Sequence, residues 1–582
     1  MDVTNLIAGG SFLTSTSRPG EVYSPEDFSD EHRLAVRSLD AFLEAEIEPR
    51  AAELETHNFP LVRELLRKLG ALGFLAVDIP ETYGGSGLDF ITSLLVAETM
   101  SRGSFSVGFG AHTVIGTLPI VYFGTDEQKE RYLPRLATGE LIGAYALTEP
   151  TAGSDALAAR TRATLTQDGR AYLLTGTKQF ITNGGFADVF TTYAKVDGER
   201  FTSFIVDRAT DGLAIGPEEH KMGIKGSSTT SLFFDNARVP AENLLGDVGA
   251  GHRVALNILN VGRLKLATAC LGAAKRALRQ AIAYAQERRQ FGRPIASFGL
   301  IKQKLAQMAV RIYLLESLVY RTGGLIESAR GTLGTPARAI EEYAVECAIA
   351  KVYGSEAYGF VADEVVQVFG GYGYIEEYPA ARAYRDARIS RIYEGTNEIN
   401  RLLISTMLLR RAERGRLPLI AALKRAAETG AAEAQIAGMA ASPGDGSLAA
   451  EWRQVEMAKQ AALAVAGPAI SKQGEALQEQ QEVLAWVGDL AIEIFAAESG
   501  LLRALRRHAA EAQIDLVRAG VAEGLVRIEA VCRKILAATA HGEDLRTRLA
   551  AVRRSMPDVP PDPVRMHRRI AERLVDAGGY VV

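Results

Sequence analysis

The sequence predicts an α+β fold with four successive parts, and three observations predict it. From about Glu31 to Arg135, apolar side chains recur every three or four positions, which is the spacing of amphipathic helices. Between about Ala146 and Leu245, short runs rich in Val, Ile, Thr, Phe and Tyr alternate with Asp-Gly pairs, as in antiparallel sheets. Helical spacing returns at about Val254 and continues to the C-terminus.

These changes in pattern define four predicted domains. Gly415 to Pro418 separates the third from the fourth, and a further break is predicted at Ser442 to Gly446. A chain of 582 residues is long enough for each part to bury its own core. The predicted domains are an N-terminal helical domain over 25–145, a middle antiparallel β domain over 146–252, a helical bundle over 253–411 and a C-terminal helical extension over 412–582.

The composition is that of an ordinary globular protein. Hydrophobic residues make up 47% and charged residues 23%, and the formal net charge of -4 gives no overall attraction to nucleic acid. Cys270, Cys347 and Cys532 are far apart and form no CxxC, so we expect reduced, buried thiols and no metal site. No apolar run approaches the ~18 residues of a membrane span, and the start MDVTNLIAGG resembles neither a signal nor a transit peptide. We therefore expect a cytoplasmic protein.

Several common catalytic motifs are missing from the sequence. No Gly-Lys dipeptide occurs, which excludes a Walker A loop, and no GxGxxG opens a helix after a strand. HExxH and GxSxG are also missing. These observations argue against P-loop, Rossmann, zincin and α/β-hydrolase chemistry.

The segment RIYEGTNEINR at 391–401 places Glu394 between Tyr393 and Gly395. A carboxylate in a partly dry site has a raised pKa and can act as a general base. Tyr393 can exclude water there, and Gly395 lets the backbone approach a ligand closely. The alternative is that Glu394 only complements the N-terminus of a helix that Thr396 caps.

Two stretches in the predicted β domain have the residues of a site for a flat ligand. YALTEPTAGSD at 145–155 offers hydroxyls and loop amides to a polar ring edge, with Gly153 permitting close approach. GTKQFITNGG at 176–185 places Phe180 and Thr182 on the same face of a strand, where one can pack against a ring and the other can bond its heteroatom. The alternatives are a capped turn and a strand entering an Asn-Gly turn.

Two clusters in the helical bundle suit a pyrophosphate. ERRQFGRP at 287–294 ends a helix with a dense positive charge, and QVFGGYGY at 367–374 follows another helix with glycines. Arginine offers charge-assisted hydrogen bonds, and glycine exposes backbone amides. Taken singly, each cluster is more often a C-capped helix with a solvated charged face.

Together and in this order, the five motifs resemble those of the acyl-CoA dehydrogenases, over about residues 25 to 410. ILNVGR at 258–263, FGLIKQKLAQM from Phe298 and the long helical tail look most like the very-long-chain branch. The resemblance implies FAD as cofactor and conversion of an acyl-CoA to its trans-2-enoyl-CoA. Glu394 would remove the α-proton while the β-hydrogen leaves as hydride to the flavin, and the amide at Glu394 would help to stabilise the enolate oxygen.

The resemblance also assigns the other motif residues to cofactor and substrate. Within this family the adenine and pyrophosphate portion is reached across a subunit interface, which implies a homodimer. The residues expected to bind FAD are Tyr145, Ala146, Leu147, Thr148, Gly153, Ser154, Phe180, Ile181, Thr182, Arg288, Gln290, Phe291, Gln367, Gly371, Thr396 and Glu398. The residues expected to contact substrate or support the base are Ser154, Asn260, Arg263, Tyr393 and Gly395.

The sequence departs from the family pattern at two positions that bear on substrate range. Phe180 stands where many members have Trp, and Asn260 where medium-chain members have Asp. The small residues of VGFGAH at 107–112 lie where the family builds its acyl cavity, which favours a long acyl chain. His112 is expected to be a polar wall residue and not a catalyst.

We therefore expect a long-chain acyl-CoA dehydrogenase of fatty acid β-oxidation that passes electrons to an electron-transfer flavoprotein. One alternative is an acyl-CoA oxidase that uses oxygen. Another is a flavoprotein of this fold with an assembly or DNA-associated role, which the Arg-rich tail keeps open. The tail could also make weak contact with a membrane surface, although packing on the core explains its Ala-rich helices more simply.

Overall fold

The structure is a computed structural model that describes residues 6–429, 443, 446–473, 479–506, 510–556 and 561–582. It confirms the α+β class. The predicted break at 442–446 lies mostly outside the described residues. The helices are α1 (Asp30–Phe42), α2 (Ala51–Leu54), α3 (Phe59–Ala71), α4 (Phe90–Thr99), α5 (Ser104–Gly110), α6 (Leu118–Phe123), α7 (Asp126–Ala137), α8 (Gly251–Glu287), α9 (Gly299–Arg330), α10 (Pro336–Glu342), α11 (Ala344–Phe369), α12 (Pro379–Arg388), α13 (Asn397–Glu413), α14 (Leu419–Thr429), α15 (Ala449–Gln473), α16 (Gln481–Arg506), α17 (Glu511–Thr539), α18 (Gly542–Arg554) and α19 (Pro563–Ala577).

The chain divides into two compact units. The sheet unit comprises Ser29–Lys265 and Gly334–Glu341, and the helical unit comprises Met1–Phe28, Leu266–Leu333 and Glu342–Val582. The four domain boundaries drawn from the sequence stay a prediction, because this division groups residues by compactness only.

The strands are β1 (Gly143–Ala146), β2 (Arg162–Leu165), β3 (Ala171–Thr182), β4 (Val189–Val196), β5 (Arg200–Asp207), β6 (Leu213–Glu218), β7 (Thr229–Pro240), β8 (Leu244–Leu245), β9 (Arg289–Gln290) and β10 (Arg293–Pro294).

The sheet unit is built on an eight-stranded sheet. Its strands lie in the order β6-β7-β3-β2-β4-β5-β8, and β1 pairs in parallel with β4. Most neighbours are antiparallel, as predicted, and β2 joins β1 as a parallel partner of β4. The pairing of β3 with β7 shifts register between Lys178 and Ile181, and such a bulge changes the direction of the side chains within it. The residues within this bulge are Gln179 and Phe180.

His112 is a structural residue of the sheet unit, in agreement with its expected non-catalytic role. It lies fully buried in a π-helical segment, Ala111–Gly116, that follows α5. Its Nδ1 accepts a hydrogen bond from the Gly143 amide at 3.0 Å, so Nε2 donates to the Leu136 carbonyl oxygen at 3.1 Å. Burial lowers the pKa of His112 to about 4, and the ring is neutral at pH 7.

Two helical stretches of the described chain are long and apolar enough to cross a membrane, by length and composition only. They are Ser104–Phe123 and Gly251–Glu287. The sequence expectation that no apolar run approaches a membrane span is therefore wrong for these two stretches. Because 72% and 78% of their apolar windows are buried inside the protein, they equally fit the core helices of a globular fold.

The helical unit is held together by buried charges as well as by apolar packing. Glu316 of α9 is buried and accepts from Lys275, from Arg503 Nη1 at 2.6 Å and from the Tyr580 hydroxyl at 3.0 Å. Arg503 of α16 also donates to Glu26 in the segment before α1. This cluster connects the N-terminal segment, the bundle and the C-terminal extension within one unit. Burial opposes the charged form, but Lys275 and Arg503 outweigh it and lower the pKa of Glu316 to about 2.

Glu316→Gln should lower the free energy of unfolding by about 3 kcal/mol at pH 7, because it removes the buried carboxylate that pairs with buried Arg503 and half-buried Lys275. The stabilisation from Glu316 is present above its unfolded pKa of about 4.5 and is lost as the pH falls towards 2. Urea denaturation between pH 7 and pH 3 should therefore show a smaller difference between wild type and variant at the acid end.

The matched control is Glu327→Gln on the same helix, which removes a half-exposed pair with Arg330. That change should cost less than about 1 kcal/mol. Equal stability of the two variants at pH 7 would contradict the role given to Glu316.

Candidate active site

The candidate base, Glu394, lies in a strained loop just before α13. Its φ of 58° is left-handed, and Gly395 follows at 81°. A non-glycine residue in this region costs roughly 1–2 kcal/mol, so the surrounding structure must impose the conformation. Such strain is concentrated at functional sites, which favours catalysis over the alternative of a simple helix-end carboxylate.

Two buried side chains hold this loop. Lys351 of α11 is fully buried, and its Nζ donates to the Gly395 carbonyl oxygen at 2.6 Å and to Asn397 Oδ1 at 2.8 Å. Asn400 Nδ2 lies 2.8 Å from the Gly395 oxygen, 3.0 Å from the Thr396 oxygen and 3.4 Å from the Glu394 oxygen. Hydrogen bonds to consecutive carbonyl groups fix the peptide planes, and with them the direction of the Glu394 side chain.

The other predicted residues of this motif lie in the same loop. Thr396 caps α13 by accepting from the Ile399 amide at 3.3 Å, as the sequence predicts, and α13 begins at Asn397. Glu398 is exposed in the first turn, where its own amide and Thr396 lower its pKa. Tyr393 is half-buried before the base, and desolvation raises the pKa of its hydroxyl, so it stays neutral.

A buried ion pair joins the two motifs of the sheet unit. Lys178 Nζ in β3 lies 2.7 Å from Glu149 Oε1 and donates to the Leu147 carbonyl oxygen at 3.1 Å. The carboxylate also accepts from the amides of Arg160 and Thr161. Burial lowers the pKa of Lys178 to about 8. Burial also opposes ionisation of Glu149, but the charge of Lys178 and the two amides outweigh it and hold the pKa of Glu149 below its usual range. The loop after β1 is thereby fixed against β3.

The predicted flavin-side residues divide into buried supports and exposed contacts. Tyr145, Ala146 and Leu147 are buried, and Thr148 is half-buried with its carbonyl oxygen accepting from the Gln179 amide at 2.9 Å. Gly153 and Ser154 are exposed, and no atom lies within 4 Å of a Cβ built on Gly153.

On β3, Ile181 is buried, whereas Phe180 is 57% exposed and Thr182 is half-buried. That Phe180 and Thr182 share a face stays a prediction, because the bulge before Ile181 interrupts the regular alternation of side chains along β3. The sequence did not indicate that Phe180 has a left-handed φ of 58°. The bulge accounts for it.

The two predicted substrate-side residues of α8 lie together in the sheet unit. Arg263 is 4% and Asn260 7% exposed, and Arg263 Nη1 donates to Asn260 Oδ1 at 2.9 Å. One helical turn separates them, so both side chains lie on the same helix face. An asparagine here accepts one hydrogen bond from the guanidinium without neutralising its charge.

The predicted adenine-side residues lie in the helical unit, and all are exposed. Phe291 is 92% exposed with a φ of 51°, in the hairpin formed by β9 and β10. The Arg288 guanidinium lies 5.5 Å from the centre of the Tyr372 ring, so the two predicted clusters meet. The remaining members of this set, also exposed, are Gln290, Gln367 and Gly371.

The structure thus groups the predicted residues into two sets, each within its own unit. The sheet unit holds the flavin-side residues with Asn260 and Arg263. The helical unit holds the loop of residues 393–396, which we call the base loop, and the adenine-side residues. Sequence reasoning missed the residues that hold these motifs, above all Lys178 and Lys351. A lysine within a Thr- and Phe-rich strand could have indicated the first, but no local pattern indicates the second.

The residues present fit FAD. The exposed Phe180 ring suits the face of a flavin, the half-buried Thr182 hydroxyl can bond its edge, and open space beside Gly153 and Gly371 lets backbone amides approach a ligand. Exposed Arg288 offers charge to a pyrophosphate. Within the described ranges, no group of three or more His, Cys, Asp or Glu residues is placed to hold a metal ion.

The domains of one family match successive parts of the chain. The N-terminal domain of acyl-CoA dehydrogenase matches residues 29–140, the middle domain 144–237, and C-terminal domains 249–409 and 457–554. A probable acyl-CoA dehydrogenase of Bacillus subtilis is 46% identical over 99% of this chain and 98% of its own length. The human very long-chain specific acyl-CoA dehydrogenase is 40% identical over 62% of this chain and 57% of its own length.

The fold comparison agrees with the sequence comparison. The crystal structure of an acyl-CoA dehydrogenase from Bacillus anthracis complexed with FAD matches with a TM-score of 0.95 and 45% identity, covering 99% of this chain and 100% of that one. The chain belongs to the acyl-CoA dehydrogenase family and is an FAD-dependent oxidoreductase that acts on acyl-CoA.

Proposed function

We propose that this protein is a long-chain acyl-CoA dehydrogenase of fatty acid β-oxidation, with Glu394 as its catalytic base. The observation that carries the proposal is the left-handed backbone of Glu394, held by Lys351 and Asn400. Strained backbone is concentrated at functional sites, so the strain at Glu394 supports a role for this side chain in the reaction.

In the proposed reaction the residues of the base loop have separate roles. Glu394 takes the α-proton of the thioester, and its backbone amide donates a hydrogen bond to the oxygen on which negative charge develops. Tyr393 reduces the access of water to the carboxylate. FAD held by the predicted flavin-side residues would supply the acceptor for the β-hydrogen, which leaves as hydride. Fixing the base beside the substrate makes proton transfer nearly unimolecular, which accounts for a large part of the expected rate.

A long acyl chain is supported by the small residues 107–112, which lie at the end of α5 and the start of the π-helical segment that follows it. A Cβ built on Gly110 would meet no atom within 4 Å, so the helix leaves space on that side.

Electron transfer to an electron-transfer flavoprotein is proposed over reduction of oxygen, following the family resemblance. An oxidase would produce hydrogen peroxide during turnover, so a peroxide assay with acyl-CoA in air separates the two. A cytoplasmic location is proposed with it; Cys270, Cys347 and Cys532 are buried and form no disulfide with one another, which fits a reducing compartment.

The C-terminal extension is proposed to be part of the folded body rather than a DNA-binding or membrane-binding arm. Several of its arginines pair with carboxylates of the extension, such as Arg527 with Glu493 and Arg569 with Asp515, and Arg503 pairs with Glu316 of the bundle. In α19 the apolar Ile570 is buried, while Lys302 of α9 pairs with Glu572. Paired charges leave little positive field for a polyanion or an anionic lipid surface.

Glu394→Gln should bind FAD normally but reduce flavin bleaching by acyl-CoA by about 10³-fold, since an amide cannot accept the α-proton. The measurement is anaerobic titration with saturated acyl-CoAs of increasing length, followed by flavin absorbance. Wild type should bleach fastest with long chains. The proposal fails if no chain length bleaches the wild type, and Glu394 is not the base if the variant bleaches at the wild-type rate.

Phe291→Asp should convert a homodimer to monomers and lower FAD content, because the exposed adenine-side residues are proposed to meet the cofactor of a second subunit. Val526→Asp is the matched control: it also places a charge on an exposed apolar residue, 69% exposed on α17. Sedimentation velocity and the absorbance of bound flavin report the outcome. A variant that remains dimeric and fully yellow, or a monomeric wild type, would contradict this part of the proposal.

A further inference from the structure

The C-terminal extension packs directly on the helix that follows the base. Ser405 of α13 donates to the Leu484 carbonyl oxygen of α16 at 2.7 Å. A Cβ on Gly488 would lie 2.8 Å from the Arg401 carbonyl oxygen, so only glycine allows this approach of the two helices. The extension therefore reaches the backbone of the helix that begins at the base loop.

A continuous chain of polar contacts runs from this packing site to the base loop. Asp489 Oδ1 of α16 accepts from Arg401 Nε at 2.6 Å, and Arg401 Nη1 donates to Glu356 Oε1 at 2.8 Å. The same Glu356 oxygen accepts from Asn397 Nδ2 at 3.0 Å, and Asn397 Oδ1 accepts from Lys351 at 2.8 Å. Lys351 ends the chain on the Gly395 carbonyl oxygen. We call these six residues the loop relay.

We propose that Asp489 of the C-terminal extension is a positioning residue for the base, acting on the Glu394 loop through the loop relay. The inference rests on the proposed function, because it takes Glu394 as the group to be positioned. The extension then has a role in the reaction although it contributes no group to it.

The geometry of Arg401 explains how one carboxylate can act at this distance. The guanidinium bonds Glu356 with both terminal nitrogens, at 2.8 and 3.1 Å, and bonds Asp489 with Nε. Its plane is fixed from two sides. Without Asp489 the plane is held from one side only, and Glu356 loses the fixed position from which it accepts Asn397.

A purely structural role and a positioning role of the loop relay predict different results when Asp489 is changed. The Asp489 and Glu356 side chains are 26% and 40% exposed, and ion pairs that are partly solvated contribute little to stability. If the relay only joined two helices, its loss would change little beyond a small effect on melting. If it positions the base, its loss affects the reaction rate and the local mobility of residues 391–401.

The experiment compares Asp489→Asn with the control Glu493→Gln in the holoenzyme. Glu493 lies one turn further along α16 and pairs with Arg527 inside the extension, at 2.7 Å. Anaerobic stopped-flow bleaching at saturating long-chain acyl-CoA gives the reduction rate. Titration gives the affinity for substrate, and hydrogen exchange of the peptide covering 391–401 gives the local mobility.

Asp489→Asn should reduce the bleaching rate by about tenfold, with unchanged acyl-CoA affinity and FAD content, and should increase exchange in 391–401. Asp489→Glu, which keeps the carboxylate, should recover most of the rate, and Glu493→Gln should resemble wild type. The proposal is overturned if Asp489→Asn matches Glu493→Gln in both rate and exchange. If wild type is not bleached by any acyl-CoA, the proposed function fails, while the exchange comparison still decides whether the relay holds the loop.

Discussion

A buried lysine holds the loop on which the candidate site depends: Lys351 donates to the Gly395 carbonyl oxygen at 2.6 Å, directly after the left-handed residue Glu394. Placing an ammonium group in the interior is costly unless its hydrogen bonds are satisfied, and Asn397 supplies a second acceptor. The strained backbone and the buried charge thus stabilise each other. Loss of either would release the carboxylate from its fixed direction.

In the sheet unit, too, a buried lysine fixes a motif loop. Lys178 is buried in β3 and donates to the Leu147 carbonyl oxygen in the loop after β1, while its charge is balanced by Glu149. In both units a motif loop is fixed by a lysine that comes from a neighbouring element. Each unit also carries non-glycine residues at positive φ at predicted site positions, Phe180 in one, Phe291 and Glu394 in the other. Strain at these positions is what pre-organised contacts with a ligand would require.

The sequence predicts those features whose cause is local. Helical and strand periodicities indicate the α+β class, and Thr396 indicates the start of α13 within one residue. The motifs themselves can be recognised because their residues are contiguous. The left-handed backbone of Glu394 cannot be predicted in this way, because Lys351 imposes it. Lys351 lies 44 positions before Gly395, whose carbonyl oxygen it binds. The link from Asp489 to the loop likewise depends on tertiary packing, since Arg401 and Asp489 lie 88 positions apart in the sequence.

The bleaching rate of Lys351→Met tests most directly whether the held loop makes Glu394 an effective base. Methionine keeps the length and apolar stem of the side chain and removes the ammonium group. With FAD bound and acyl-CoA saturating, the rate should fall by about 10²-fold, whereas Lys304→Met, which removes a half-exposed pair with Glu364 in the helical unit, should leave it unchanged. A Lys351→Met enzyme that bleaches at the wild-type rate would contradict the account.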